Sequence, residues 1–284
     1  MLRLINPKDE ARIISLWREC FGDSEAYIRQ FWSGVFLPGL CRGVAAEEDG
    51  RVVSMQFLLP GRLERGGGVP LPAAYVYAVC TATDCRGRGH AAALTEYAAA
   101  LARGEKAAAL CLFPAEPGLE AYYARLGFVP AFARARAKVA RHDEMIPYLK
   151  TNAGWNAETA VRQRAARWGG QGLFAWDAPL LEYMRRAHLA LPGARVRCGE
   201  NGYVFYALEN GTLTIKELCA PPEEENALLH KVMRISGAEL AHIIRAAEPG
   251  DEPEPGGMLL PLDERAKDWL AATRGNAYLG FTME

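Results

Sequence analysis

The sequence has no surplus of charge of either sign: 33 Lys and Arg stand against 34 Asp and Glu over 284 residues, a formal net charge of −1. It therefore lacks the global basic field that draws nucleic acid or acidic lipid, and neither is expected as a partner. No apolar run is long enough to cross a bilayer. The opening Met1-Leu2-Arg3-Leu4-Ile5-Asn6-Pro7-Lys8-Asp9-Glu10 lacks the apolar stretch and small-residue cleavage site of a signal peptide, so a cytoplasmic location is expected. Paired cysteines are missing too. Cys20, Cys41, Cys80, Cys85, Cys111, Cys198 and Cys219 are scattered, with no Cys-x-x-Cys and no histidine at zinc spacing, which points to free, mostly buried thiols and no metal site.

What is present is ordinary globular material, half apolar and about a quarter charged, and enough of it for two domains. Apolar residues at helical spacing predict two helices between Asp9 and Phe36, broken at Gly22-Asp23-Ser24. An Asp49-Gly50 turn centres a hairpin over Gly43 to Pro60, and Ala73 to Cys80 reads as a buried central strand. A Gly-containing turn, Thr81 to Gly89, leads into an alanine-rich helix closing at Gly104. A strand at Ala107 to Phe113 then makes a right-handed parallel crossover, followed by a short helix at Pro117 to Leu126 and one or two strands from Phe128 to Val139.

The second half repeats this order faintly. Val196 to Val204 resembles Val44 to Val52 at a constant offset, although two hairpins sharing a turn type would look alike by chance. Helical patterns cover Ala157 to Trp168, Pro179 to Leu191, Glu223 to Ile235 and Asp263 to Ala272; strands are expected at Thr212 to Leu218, Ala241 to Ala246 and Ala277 to Met283. The acidic, Pro- and Gly-rich stretch Glu248 to Gly257 reads as a flexible excursion that is either a solvated loop or an attraction for a cationic partner. Domains of 1–145 and 150–284 result.

Arg86-Gly87-Arg88-Gly89-His90-Ala91 carries the chemistry. A glycine-rich turn between a buried strand and a helix start turns several unpaired amides toward one point, with the positive end of the helix dipole behind them. Gly87 and Gly89 admit backbone conformations closed to other residues, and Arg86 and Arg88 add charge. Such a turn also serves simply to pack a helix on a sheet. There is no Gly-Lys-Ser/Thr loop for a nucleoside triphosphate, and two helices and a hairpin precede the turn, unlike the opening unit of a dinucleotide fold.

The pattern Arg86-x-x-Gly89-x-Ala91 resembles the Arg/Gln-x-x-Gly-x-Gly/Ala signature of the GCN5-related N-acetyltransferases (GNAT), and Tyr122-Tyr123-Ala124-Arg125-Leu126-Gly127-Phe128 resembles that family's Tyr-x-x-x-Gly-Phe. The resemblance covers roughly Met1 to Arg141. It implies an α/β (α+β) fold of two tandem GNAT-like domains, each a mixed, mostly antiparallel sheet flanked by helices. It also implies acetyl-CoA as co-substrate and no metal, with the pyrophosphate on the amides of Arg86, Gly87, Arg88, Gly89, His90 and Ala91. The pantetheine would run along the strand edge at Val79 and Thr81. Tyr123 falls at the general-acid position near the CoA sulfur, where a neutral phenol can protonate a departing thiolate; packing on the sheet is the plainer role for it, and for Tyr122.

The resemblance further implies direct transfer to an amine of a small molecule, without an acyl-enzyme at Cys80. The general base is not legible; Asp84, Glu116 and Glu120 are the nearest carboxylates. In the second half Ala220-Pro221-Pro222-Glu223-Glu224-Glu225 replaces the glycine turn, so carboxylates that cap a helix would repel a pyrophosphate, and this domain is expected to be degenerate. Tandem acetyltransferases of the enhanced-intracellular-survival type, which the arrangement resembles, place the acceptor near the domain junction; there a terminal carboxylate from a third domain, lacking here, can serve catalysis, leaving Glu284 without that precedent. A non-catalytic acyl-CoA-binding or interaction protein is the alternative reading, and homo-oligomerisation stays open.

Overall fold

The computed structural model describes residues 1–141 and 154–282. The first half of the chain runs β1 (Leu2–Leu4), α1 (Glu10–Phe21), α2 (Glu25–Phe31), β2 (Arg42–Glu48), β3 (Arg51–Glu64), β4 (Leu71–Thr81), α3 (His90–Gly104), β5 (Ala109–Leu112), α4 (Leu119–Arg125) and β6 (Val129–Ala140). The second runs α5 (Ala157–Trp168), β7 (Leu173–Trp176), α6 (Ala178–Leu189), β8 (Ala194–Cys198), β9 (Tyr203–Glu209), β10 (Thr212–Cys219), α7 (Pro222–Ser236), β11 (Leu240–Ala246), β12 (Glu254–Pro261) and α8 (Glu264–Thr273).

Two compact units form, and each draws on both halves of the chain. Met1–Arg62, Leu71–Pro130 and Gly257–Ala272 make the first; Leu63–Pro70, Ala131–Gly256 and Thr273–Glu284 make the second.

In the first unit the strand order is β1-β2-β3-β4-β5-β12. The β1–β2, β2–β3 and β5–β12 pairs are antiparallel, and β4–β5 is parallel, as a crossover through α3 requires. Local sequence sets the elements. Gly22 closes α1 in the left-handed region (φ 72°), and the Ser24 hydroxyl caps α2 by accepting from Tyr27 N–H (3.2 Å). Asp49 and Gly50 turn the β2–β3 hairpin with φ of 50° and 75°. The alanine-rich face of α3 buries Leu94, Ala98 and Ala102 against Val76, Leu110 and Met258. Small side chains let that helix lie close to the sheet. On α1 and α2, Trp17 and Phe31 form an aromatic layer with Phe57 and Tyr77.

The second unit repeats the plan. Its order is β8-β9-β10-β11-β6, with β10–β11 parallel through α7 and the other pairs antiparallel. Leu228, Leu229, Val232 and Met233 of α7 pack on Val204 and Ile215. Both units are thus mixed, mostly antiparallel sheets flanked by helices, as the sequence implies. The strand beside each parallel pair comes from far along the chain: β12 in the first unit, β6 in the second.

Three strands escape the sequence pattern. β1 and β7 are three and four residues long, too short to show a period. The stretch expected as a flexible excursion stops being a loop at Pro253, and β12 begins at Glu254. Gly256 suits that strand because a Cβ there would sit 2.8 Å from the Ala133 backbone, so only glycine allows the approach. Glu254 is paired with Arg136 (2.8 Å), and Asp251 with Arg245 (2.7 Å), which ties down the acidic segment. Of the strand expected at Ala277 to Met283, the described residues keep isolated bridges at Ala277 and Tyr278, and Met283 lies outside the described residues.

Candidate functional site

The parallel strands of the first unit pair over a short stretch only. Ala73, Ala74 and Tyr75 of β4 register with Ala109, Leu110 and Cys111 of β5, and β4 then continues to Thr81. In that half, which no longer registers with β5, Ala78 sits at φ 51°, a conformation costly for an L-residue inside a strand. The departure reorients the backbone just before Val79 and Cys80.

The turn after β4 is held at its root from several sides. Ser54 Oγ donates to the Cys80 carbonyl (2.7 Å), Ala82 N–H donates to the Val53 carbonyl (2.8 Å), and Thr83 N–H donates to the Glu19 carboxylate (2.6 Å). Beyond this root Gly87 and Gly89 take φ of 77° and 82°, and a Cβ at either would meet nothing within 4 Å. Conformation, not crowding, therefore selects glycine here. Gly89 precedes α3 with no side-chain cap, and the helical ladder starts with Ala93 N–H donating to the Gly89 carbonyl (3.0 Å). The amides of His90, Ala91 and Ala92 have no acceptor inside the helix, the arrangement in which a helix start is able to meet an anion.

The loop cations are aimed by neighbours. Arg86 donates from Nε to the Thr81 carbonyl (3.2 Å), and Arg88 donates to the Asp84 carbonyl (2.9 Å) and lies 3.3 Å from Glu48. His90 Nε2 is 3.7 Å from the same carboxylate, with no hydrogen-bond partner. The Thr81 carbonyl accepts from Arg86 and, at 3.4 Å, from Cys20, and its hydroxyl meets Ser54 (2.9 Å).

Tyr123 lies on α4 and is 7% exposed, in the same core as Val76 and Phe128. Burial pushes its phenol up to about 12, with smaller contributions from Tyr122 and Cys80. It is therefore neutral, with its hydroxyl proton in place, throughout the physiological range. Tyr122 is half-buried, and its hydroxyl is enclosed without a hydrogen-bond partner.

The candidate bases differ in state. Asp84 is bound by Arg51 (2.6 Å), which lowers its pKa, while Glu116 is exposed and Glu120 half-exposed. Among the described residues no cluster of three or more His, Cys, Asp or Glu is placed to hold a metal, and no helix is long and apolar enough to cross a membrane. Glu284 lies outside the described residues. Sequence reasoning missed Ala78, Glu19, Ser54 and Cys20. No local pattern marks them: Glu19, Cys20 and Ser54 meet the end of β4 and its turn across the fold, and Ala78 lies within β4 itself.

In the second unit the matching turn, after β10, has other chemistry. Glu223, Glu224 and Glu225 occupy the first turn of α7; Glu225 accepts from Arg167 (3.0 and 3.1 Å) and Glu224 from Asn201 (2.8 Å). On β10 itself, Glu217 is fully buried against Arg164 and accepts from Tyr203 (2.6 Å) and Phe281 N–H (2.9 Å).

Residues 1–131 match the family model described as an acetyltransferase (GNAT) domain. No curated protein matches the sequence. Among solved structures, a conserved protein of unknown function from Enterococcus faecalis V583, described as a probable N-acyltransferase, is 16% identical with a TM-score of 0.76, over 93% of this chain and 72% of that one. Eis1 from Mycobacterium abscessus is 16% identical with a TM-score of 0.71, over 94% and 75%. A tandem GNAT protein from the clavulanic acid biosynthesis pathway is 15% identical with a TM-score of 0.52, over 93% and 99%. These likenesses concern the fold. The family model thus matches the part of the chain that builds the loop, and the fold of the chain resembles that of GNAT proteins.

Proposed function

We propose that the protein is an acetyl-CoA-dependent N-acetyltransferase whose first unit transfers the acetyl group to an amine of a small molecule by direct attack. The observation that carries this reading is the pairing of an uncapped helix start, at Gly89 and His90, with a β4 that runs on beyond its partner β5. The first is a seat for a pyrophosphate. The second leaves a strand edge, at Val79, for an amide-bearing chain. Because the Thr81 carbonyl is already occupied by Arg86 and Cys20, Val79 is the better of the two expected strand contacts.

Acetyl-CoA, when bound, supplies an activated thioester carbonyl. The amides of Arg86 to Ala91 hold its anionic end, and Arg86 and Arg88 offset its charge. Tyr123 keeps its proton until a thiolate is there to take it. Water carries the amine proton away, since Asp84, the carboxylate within the turn before the loop, is a weak base held by Arg51. That same observation favours the second reading, a non-catalytic acyl-CoA-binding protein.

A panel of small amines with acetyl-CoA, followed by release of free thiol, separates the two. The enzyme reading expects amine-dependent release with at least one acceptor. Acetyl-CoA binding with no release across the panel favours the binding protein.

A further inference from the structure

The last turn of α1 meets the end of β4 in a cluster of sulfur and charge that the acyl-transfer reading does not use. Cys20 is half-exposed on α1; Cys80 is 1% exposed on β4 and directly precedes Thr81, whose carbonyl Cys20 meets, and the two thiols perturb each other's titration. Arg86 Nη2 stands 3.8 Å from Cys20 Sγ, and Cys20 donates as a thiol to the Thr81 carbonyl at 3.4 Å. The Cys80 thiol, aided by Arg86 and opposed by burial, brings the Cys20 thiol down to about 6.

None of the other cysteines combines access with such a setting. Cys41, Cys85, Cys111 and Cys219 are buried, and Cys198, half-exposed like Cys20, is pushed up by burial. A reactive cysteine needs thiolate character and exposure together, and a partner thiol in contact makes its adduct resolvable.

We propose that Cys20 is a modification site that captures a small-molecule disulfide, and that Cys80 then resolves the adduct into a Cys20–Cys80 disulfide at the root of the Arg86 loop. The Cys20 thiolate attacks one sulfur of the disulfide RSSR and expels RS⁻. Cys80 then loses its proton, attacks the Cys20 sulfur and expels the second RS⁻. The two protons given up by the cysteines are taken by the two leaving thiolates. Two cysteines are oxidised and RSSR is reduced to two RSH, so the step balances. The positive charge of Arg86 favours an anionic RSSR. Burial of Cys80 makes resolution the slower step, and the mixed disulfide on Cys20 precedes the bridge.

The inference does not depend on the acceptor or on catalysis. Its test treats the reduced full chain with oxidised glutathione, quenches in acid, alkylates the remaining thiols and maps the peptides by mass. Of seven alkylatable thiols, two are expected to be lost, in a single cross-link joining the Cys20 and Cys80 peptides. Cys80→Ser is expected to stop at a Cys20–glutathione adduct, and Cys20→Ser to lose no thiol. A wild-type map in which Cys20 stays as free as Cys198, or in which the cross-link joins other cysteines, overturns the proposal whether or not the variants fold.

Discussion

Phe128 N–H donates to the Tyr123 carbonyl (3.1 Å), and the two rings meet edge-on with centroids 5.6 Å apart. The bend between them passes through Gly127 at φ 90°, where a Cβ would press on Leu260 of β12 at 3.1 Å. The Gly-Phe of the downstream motif thus locks the tyrosine whose hydroxyl is assigned to proton donation. Removing the hydroxyl alone should leave that lock intact. Tyr123→Phe is expected to lower kcat about a hundredfold or more while leaving acetyl-CoA affinity within about twofold, measured by thiol release and by titration calorimetry. Full activity in this variant would remove Tyr123 from the chemistry.

The same phenol gives a pH signature. Its folded-state pKa of about 12 lies above the ordinary tyrosine value, so its contribution to stability is complete below about pH 10 and is lost as pH rises toward 12. Wild type is therefore expected to lose its margin over Tyr123→Phe across that interval in denaturant titrations. No alkaline fall in kcat assignable to this group should appear below pH 10.

Phe128 is 1% exposed, and truncation leaves a void beneath α4. Phe128→Ala is expected to cost about 3–5 kcal/mol in unfolding free energy. Activity measured well below the new melting point should fall as well, because Tyr123 loses its packing partner.

Much of this was legible in the sequence, and the limits have physical causes. Helices α1 and α2 follow from apolar spacing and from the signals at Gly22 and Ser24, and α3 to α8 from apolar or alanine-rich runs and their flanking residues, all of them local signals. The loop at Arg86 to Ala91 is likewise a local signal, since conformation demands its glycines. Ala78 gave no sign, because nothing in a run of apolar residues distinguishes an alanine at φ 51° from its extended neighbours. The grips of Glu19 on Thr83, and of Cys20 on Thr81 and Arg86, join residues about sixty positions apart. Strand β12 was hidden because Gly256, which permits a close backbone approach, reads together with Gly257 as a loop.

Buried charge in the second unit makes a separate prediction. Arg164 and Glu217 are each at most 1% exposed, and Glu217 also accepts from Tyr203 and Phe281 N–H. Arg164→Met leaves the carboxylate buried without its countercharge and is expected to destabilise by about 3–5 kcal/mol. The Arg164→Met/Glu217→Met double variant should cost clearly less than the two single changes summed, read by denaturant unfolding.

At Gly89 a side chain meets open space but an unfavourable φ of 82°. Gly89→Ala is expected to cost about 1–2 kcal/mol if the loop keeps its shape, or to shift the loop and weaken acetyl-CoA binding about tenfold. Paired melting and binding measurements on this variant read both, and no change in either would contradict the role given to this glycine.

The turn from Arg86 to Ala91 is proposed to seat acetyl-CoA. It is tested most directly by thermal denaturation of the full chain with and without millimolar acetyl-CoA, alongside Gly89→Asp. At a hundredfold excess over Kd, linkage adds about 2.7 kcal/mol to the native state. Wild type should therefore melt at least about 2 °C higher with the ligand, and the aspartate variant should not respond. An unmoved wild-type midpoint, or an equal rise in Gly89→Asp, would contradict the account.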